Sequence, residues 1–182
     1  MYQVLERSGD IMKGYIQVYT GDGKGKTTAA LGLALRAAGA GLKVYIAQFI
    51  KTGEYSEIRA LKRFSDRITV EQFGTGKFVI GPPDPEEIQS ARTGLERAEA
   101  ILRAGKHDLV VLDEANVAVA CGLFALDELL GLIRLKPEST ELVITGRQAD
   151  PRLLEQADLV SEIKAVKHYY SKGVDARVGI EK

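Results

Sequence analysis

The 182-residue chain has one cysteine, two histidines and no tryptophan, and its 25 Lys and Arg balance 25 Asp and Glu to a formal net charge of +0. Each shortage removes a class of function. A single thiol, Cys121, builds neither an intrachain disulfide nor a Cys-rich zinc site. With only His107 and His168, a histidine metal cluster is excluded and a Ser-His or Cys-His triad has little to draw on. A chain that neutralises many phosphates carries a basic excess or stripe, so nucleic acid is not the expected partner. No run of about 18 apolar residues occurs, and no membrane span is expected. The opening segment, with Glu6, Arg7, Asp10 and Lys13, lacks the apolar stretch of a secretory signal. The cytoplasm is the expected compartment. Chemistry here must run on Lys, Arg, carboxylates, hydroxyls and backbone.

What is present is a core and a regular alternation. A hydrophobic content of 45% suits one domain, taken as residues 14–182, after an N-terminal segment 1–13 that reads as separate and mobile. Short β-branched or aromatic runs predict strands over 15–20, 43–50, 68–73, 109–113, 142–145 and 159–166. Helical stretches are predicted over 25–38 and 55–64. The longest helix is the best specified. Asp84 suits the N-cap, Pro85 the first position and Glu87 a capping box, while Ile88, Ala91, Leu95, Ala98 and Leu102 form one apolar stripe that ends at Gly105. A further short helix is expected from Asp150-Pro151, with Leu153, Leu154 and Ala157 inward. Strands separated by helices predict an α/β fold, a mostly parallel sheet with helices on both faces. Cys121, in the apolar run 117–123, reads as a small core residue. Arg36, in an otherwise apolar helix, suggests a buried partner or a ligand contact.

The densest signal is Thr20-Gly21-Asp22-Gly23-Lys24-Gly25-Lys26-Thr27-Thr28, between a predicted strand and a predicted helix. Closely spaced glycines let backbone N–H groups converge, and the helix start adds the positive end of its dipole. Lys26 supplies a mobile charge for phosphates and the Thr27 hydroxyl suits Mg²⁺. This resembles a P-loop. The strict pattern has glycine where this chain has Thr20.

A second acidic signal, Asp113-Glu114, ends the apolar run 109–112, where a doubly wound sheet places its ligands. One of the two acids can hold Mg²⁺, and strand alternation would send its neighbour to the opposite face. Arg147, after the next strand, can reach phosphate or ribose. No Asn-Lys-x-Asp guanine motif occurs, and the cysteine pairs of small thymidine kinases are missing. Glu114 is the one good candidate for a base, and it is assigned to the metal.

These blocks, together with Gln48-Phe49-Ile50-Lys51, Thr145-Gly146-Arg147, Val166-Lys167-His168 and Gly179-Ile180-Glu181, resemble the bacterial P-loop ATP:corrinoid adenosyltransferases. The resemblance implies a single-domain P-loop fold of RecA-like type that transfers the 5′-deoxyadenosyl group of ATP to Co(I) of a corrinoid and releases tripolyphosphate. It implies a homodimer, Mg²⁺ (or Mn²⁺), a flavin or flavodoxin as electron source, and ATP lying in reverse sense in the loop. By motif match, Gly21, Asp22, Gly23, Lys24, Gly25, Lys26, Thr27, Thr28 and Arg147 bind the nucleotide. Lys26 is the catalytic residue, and Thr27 and Glu114 bear on the metal. Relatives often carry Gly-Phe-x-Trp against the corrin; here Gly76-Lys77-Phe78-Val79 offers only Phe78. His168 reads as structural or exposed rather than catalytic. The alternatives are a P-loop ATPase or kinase of unknown target, and a non-enzymatic corrinoid or nucleotide binder.

Overall fold

Six strands form a single parallel sheet in the computed structural model, which describes residues 12–76 and 81–181. They are β1 (Ile16–Thr20), β2 (Val44–Phe49), β3 (Ile68–Phe73), β4 (Leu109–Asp113), β5 (Glu141–Thr145) and β6 (Leu159–Glu162). The order across the sheet is β3-β2-β4-β5-β1-β6, and every pairing is parallel. The expected fold class is therefore present. Helices α1 (Lys26–Gly39), α2 (Ser56–Leu61), α3 (Pro85–Ala104), α4 (Ala115–Ala120), α5 (Leu126–Arg134) and α6 (Pro151–Gln156) connect the strands. The expectations for the mobile segment 1–13 and for Phe78 fall largely or wholly outside the described residues.

Side-chain alternation sorts the sheet into two cores. Tyr45, Ala47, Phe49, Val110, Leu112, Leu142 and Ile144 point to the face that α3, α4 and α5 cover. Val44, Ile46, Leu109, Val111 and Val143 point to the face that α1 covers. Helix α1 presents Ala30, Ala34 and Ala37 to that face, and such small side chains let its axis lie close to the strands. Parity then fixes the rest. Gln48, Asp113 and Thr145 continue the α1-facing rows and reach the carboxyl edge on the side where the P-loop helix begins.

The capping box at α3 is formed. The Asp84 carboxylate accepts from Glu87 N–H at 2.9 Å, and the Glu87 carboxylate accepts from Asp84 N–H at 2.9 Å. Asp84→Ala is expected to cost about 1 kcal/mol in denaturant unfolding, and Asp84→Asn should keep most of it. An unchanged midpoint in Asp84→Ala would contradict the cap's contribution. On the inner face, Gly94 lies where a Cβ would sit 2.7 Å from the Phe49 ring and 2.8 Å from the Phe73 ring, so the α3 backbone packs directly against the two rings that β2 and β3 present.

Three sequence expectations need correction. Strand β6 stops at Glu162 rather than continuing to 166. Its partner β1 ends at Thr20; Ile163 donates to Thr20 O (2.8 Å) and accepts from Gly23 N–H (2.7 Å), so the chain follows the P-loop instead of the sheet. Arg36 is exposed on the last turn of α1, not buried. Cys121 is a free thiol only partly buried against the α3-side core. No helix of the described residues is long and apolar enough to cross a membrane.

Candidate nucleotide site

The loop after β1 curls as the glycine spacing requires. Gly21 and Gly25 have φ of 93° and 123°, in the left-handed region that glycine adopts without strain. A Cβ at Gly21 would sit 2.5 Å from Ile163 O, and one at Gly23 2.7 Å from the same atom, so the two backbones meet directly. Helix α1 follows with no side-chain cap and no acid in its first turn. Its first intrahelical bond runs from Ala29 N–H to Gly25 O (2.8 Å), which leaves the N–H groups of Lys26, Thr27 and Thr28 as the orphan donors of a helix start. The Lys26 ammonium folds back and donates to Gly21 O (2.6 Å) and Gly23 O (2.8 Å). Burial pulls its pKa below the ordinary lysine value, and Glu114 partly opposes that. Thr20, where the strict motif has glycine, uses its hydroxyl to accept from Ala149 N–H (3.3 Å).

Next to the loop lies an acidic corner built on Asp113. This side chain is fully buried and takes four donors. Its Oδ1 accepts from Thr27 Oγ1 (2.8 Å) and Thr145 Oγ1 (2.7 Å). Its Oδ2 accepts from Gln48 Nε2 (3.0 Å) and Lys51 Nζ (2.9 Å). Lys51 also donates to Thr27 Oγ1 (2.9 Å) and stands 3.7 Å from Glu114 Oε1. Burial works against the Lys51 charge, yet Asp113 and Glu114 outweigh it and hold its pKa above the ordinary value. Burial pushes the Glu114 carboxyl up, with Lys51 acting against the shift.

The two acids meet one ammonium, contrary to the expectation that alternation would separate them. Alternation governs only residues inside the strand. Glu114 lies one residue beyond β4 with φ 61°, a left-handed turn that brings it back toward the site. Its N–H donates to Thr145 Oγ1 (3.0 Å), which fixes that turn. A polar row then crosses the sheet at this level. Gln72 Nε2 donates to Gln48 Oε1 (2.9 Å), and Gly53 N–H donates to Gln72 Oε1 (3.1 Å).

A cavity of about 720 Å³ opens over this corner. Gly23, Lys24, Gly25, Lys26, Thr27 and Thr28 line it, as do Lys51, Glu114 and Arg147. Leu31, Gly32 and Leu35 extend it along α1 as an apolar shelf. Gly179, Ile180 and Glu181 form the facing wall. That wall is tied to the loop by Lys24 Nζ donating to Ile180 O (3.0 Å). Glu181 is itself clasped by Arg177 (3.1 Å) and by the Tyr169 hydroxyl. His168 also borders the cavity, and its Nδ1 accepts from Tyr170 N–H (3.1 Å), a capping role.

Of the residues expected at the site, Gly23 to Thr28, Glu114 and Arg147 come together around this cavity, whereas Gly21 lies behind it and Asp22 is exposed beside it. Asp113 and Lys51 carried no assigned role. The signal for Asp113 was available in the parity of Leu109 and Val111, which puts Asp113, not Glu114, on the α1 face.

The family model described as ATP:corrinoid adenosyltransferase BtuR/CobO/CobP matches residues 12–181. The corrinoid adenosyltransferase of Pseudomonas aeruginosa is 36% identical over 173 residues, covering 93% of this chain and 84% of that one. The corrinoid adenosyltransferase of Escherichia coli K12 is 36% identical over 170 residues, covering 93% and 86%. The corrinoid adenosyltransferase CobA of Salmonella typhimurium is 36% identical over 176 residues, covering 93% and 86%. With a P-loop, a buried aspartate behind its threonine and a family match along almost the whole described chain, this protein belongs to the ATP:corrinoid adenosyltransferase family.

Proposed function

We infer that this chain transfers the 5′-deoxyadenosyl group of ATP to the Co(I) centre of a corrinoid and releases tripolyphosphate, in the making or salvage of adenosylcobalamin. Beyond family membership, one observation carries the reading: the cavity gathers Lys26, Lys51, Arg147 and a helix start, a concentration of positive groups suited to a triphosphate. Its one histidine is engaged in capping, and Glu114 faces Lys51.

That inventory suits the reaction. The electron pair of Co(I) forms the Co–C5′ bond, the C5′–O bond breaks, and the triphosphate leaves with that bond's electrons. No proton moves. The protein's task is in-line positioning and neutralisation of the departing charge. The orphan N–H groups of α1 hold phosphate oxygens, Lys26 exchanges its contacts with Gly21 O and Gly23 O for phosphate, and Arg147 reaches in from the β5 loop.

Mg²⁺ (or Mn²⁺) fits the oxygen donors present, since Thr27, Asp113 and Glu114 already converge on one cationic group, the Lys51 ammonium. Thr27 and Glu114 are the proposed ligands. A divalent cation held there would neutralise the leaving triphosphate. No group of three or more His, Cys, Asp or Glu able to hold a metal occurs among the described residues, which suits an ion completed by nucleotide phosphates. A cytoplasmic location, a homodimer and a flavin or flavodoxin electron source belong to the same reading. Leu159 and Val160 on the edge strand β6 are 44% and 45% exposed, apolar surface that a second copy can cover. Phe78 is the proposed corrin contact.

With ATP, Mg²⁺ and chemically reduced corrinoid, the protein is expected to form a light-sensitive alkyl-cobalt product, followed by its absorption spectrum. Tight corrinoid binding with no Co–C bond would instead make the chain a non-enzymatic carrier.

A further inference from the structure

Among the described residues, three non-glycine residues have positive φ, Ile50, Glu114 and Gln148, and each follows a strand at the carboxyl edge of the sheet. Glu114 and Gln148 flank groups already placed at the site. Ile50, at 65°, is the costly one, because a β-branched side chain is strained in this region. The turn is held from outside. A Cβ on Gly74 would sit 2.4 Å from Ile50 C, and Gly74 N–H donates to Lys51 O (3.1 Å). Its effect is to end β2 abruptly and return the next side chain, Lys51, over the sheet edge to Thr27 and Asp113.

Thr27 Oγ1 gives its proton to Asp113 and accepts from Lys51, so one of its lone pairs is already committed to the ammonium. Glu114 Oε1 faces the same ammonium from the other side. A divalent ion bonded to Thr27 and Glu114 would meet the Lys51 nitrogen at contact distance, with like charges opposed. We propose that Lys51 is a positioning residue of this corner, its ammonium holding Thr27, Asp113 and Glu114 in the arrangement a divalent cation otherwise organises, so that ammonium and metal occupy the corner in exclusion. The inference rests on the proposed metal–nucleotide reading of the site. Its consequence is an order of loading: metal enters with the triphosphate, whose oxygens receive the displaced ammonium on its long, flexible stem.

The test is Mn²⁺ binding by equilibrium dialysis, with and without ATP, read as the metal held in excess on the protein side. Without ATP, Lys51→Met should bind Mn²⁺ about tenfold or more tightly than wild type, and Lys51→Arg should restore weak binding. With ATP, wild type should retain Mn²⁺. A Lys51→Met chain that gains no affinity, while wild type retains Mn²⁺ with ATP, overturns this inference alone. If no protein retains Mn²⁺ with ATP, the metal–nucleotide reading falls and this inference with it. Should Lys51→Met not fold, the wild-type chain carries the same test through reductive methylation read by mass spectrometry. Mn²⁺ alone, at saturation, should raise Lys51 labelling severalfold and leave exposed Lys43 unchanged; a Lys51 rate unmoved by Mn²⁺ overturns the proposal.

Discussion

Asp113→Ala is expected to destabilise the fold by about 3–5 kcal/mol, the largest stability loss of any single substitution at the site. The reason is accounting of partners. Asp113 is fully buried and accepts from Thr27, Thr145, Gln48 and Lys51. Its removal leaves the Lys51 ammonium with Glu114 at 3.7 Å and the more distant Glu57 as counter-charges. It also strips a partner from Gln48 and Thr145, both fully buried. Burying polar groups without partners is costly, and the polar row from Gly53 through Gln72 and Gln48 loses its terminal acceptor. Urea unfolding with a fitted slope measures the effect. Asp113→Asn should lie between, since it keeps the shape and an acceptor but not the charge. An Asp113→Ala loss below about 1 kcal/mol would mean that solvent enters the corner and that the charge is not truly buried.

Lys26→Ala should have the largest effect on activity, a fall of about 10²–10³ in kcat/KM for adenosyl transfer. Lys26 is only 7% exposed and is held by Gly21 O and Gly23 O, so its ammonium is stationed at the loop before any phosphate arrives. In a reaction without proton transfer, charge opposite the departing triphosphate is the main lever the protein has. The loss should fall on kcat as well as KM, because the leaving charge is greatest in the transition state. Near-normal turnover in a folded Lys26→Ala protein would contradict the role.

Much of this was legible in the chain because it is written locally. The phosphate loop needs only a strand, a glycine-lysine-threonine run and a helix in order, and Gly21 to Thr28 state all three. Helix α3 announces itself through Asp84, Pro85 and Glu87. Helices α4 and α5 carried no such signal. The six residues of α4 are apolar apart from Asn116, and α5 begins after Ala125, which has no capping oxygen. Glu128 instead reaches back to Ala125 N–H at 2.8 Å.

The acidic corner was harder still, because its geometry is long-range. Asp113 is tied to Thr27 across 86 positions, to Gln48 across 65 and to Thr145 across 32. Parity along β4 could have selected it, but the return of Glu114 depends on a left-handed turn that no spacing rule anticipates. Lys51 has the same origin. Its position follows from the strained turn at Ile50, which is stable only with Gly74 packed behind it.

The fate of the phosphorus atoms tests the central claim most directly. With ATP, Mg²⁺ and reduced corrinoid, ³¹P NMR should show tripolyphosphate appearing in step with the alkyl-cobalt product, and no phosphate release when corrinoid is omitted. ADP and orthophosphate formed regardless of corrinoid would contradict adenosyl transfer and make the chain a P-loop ATPase or kinase.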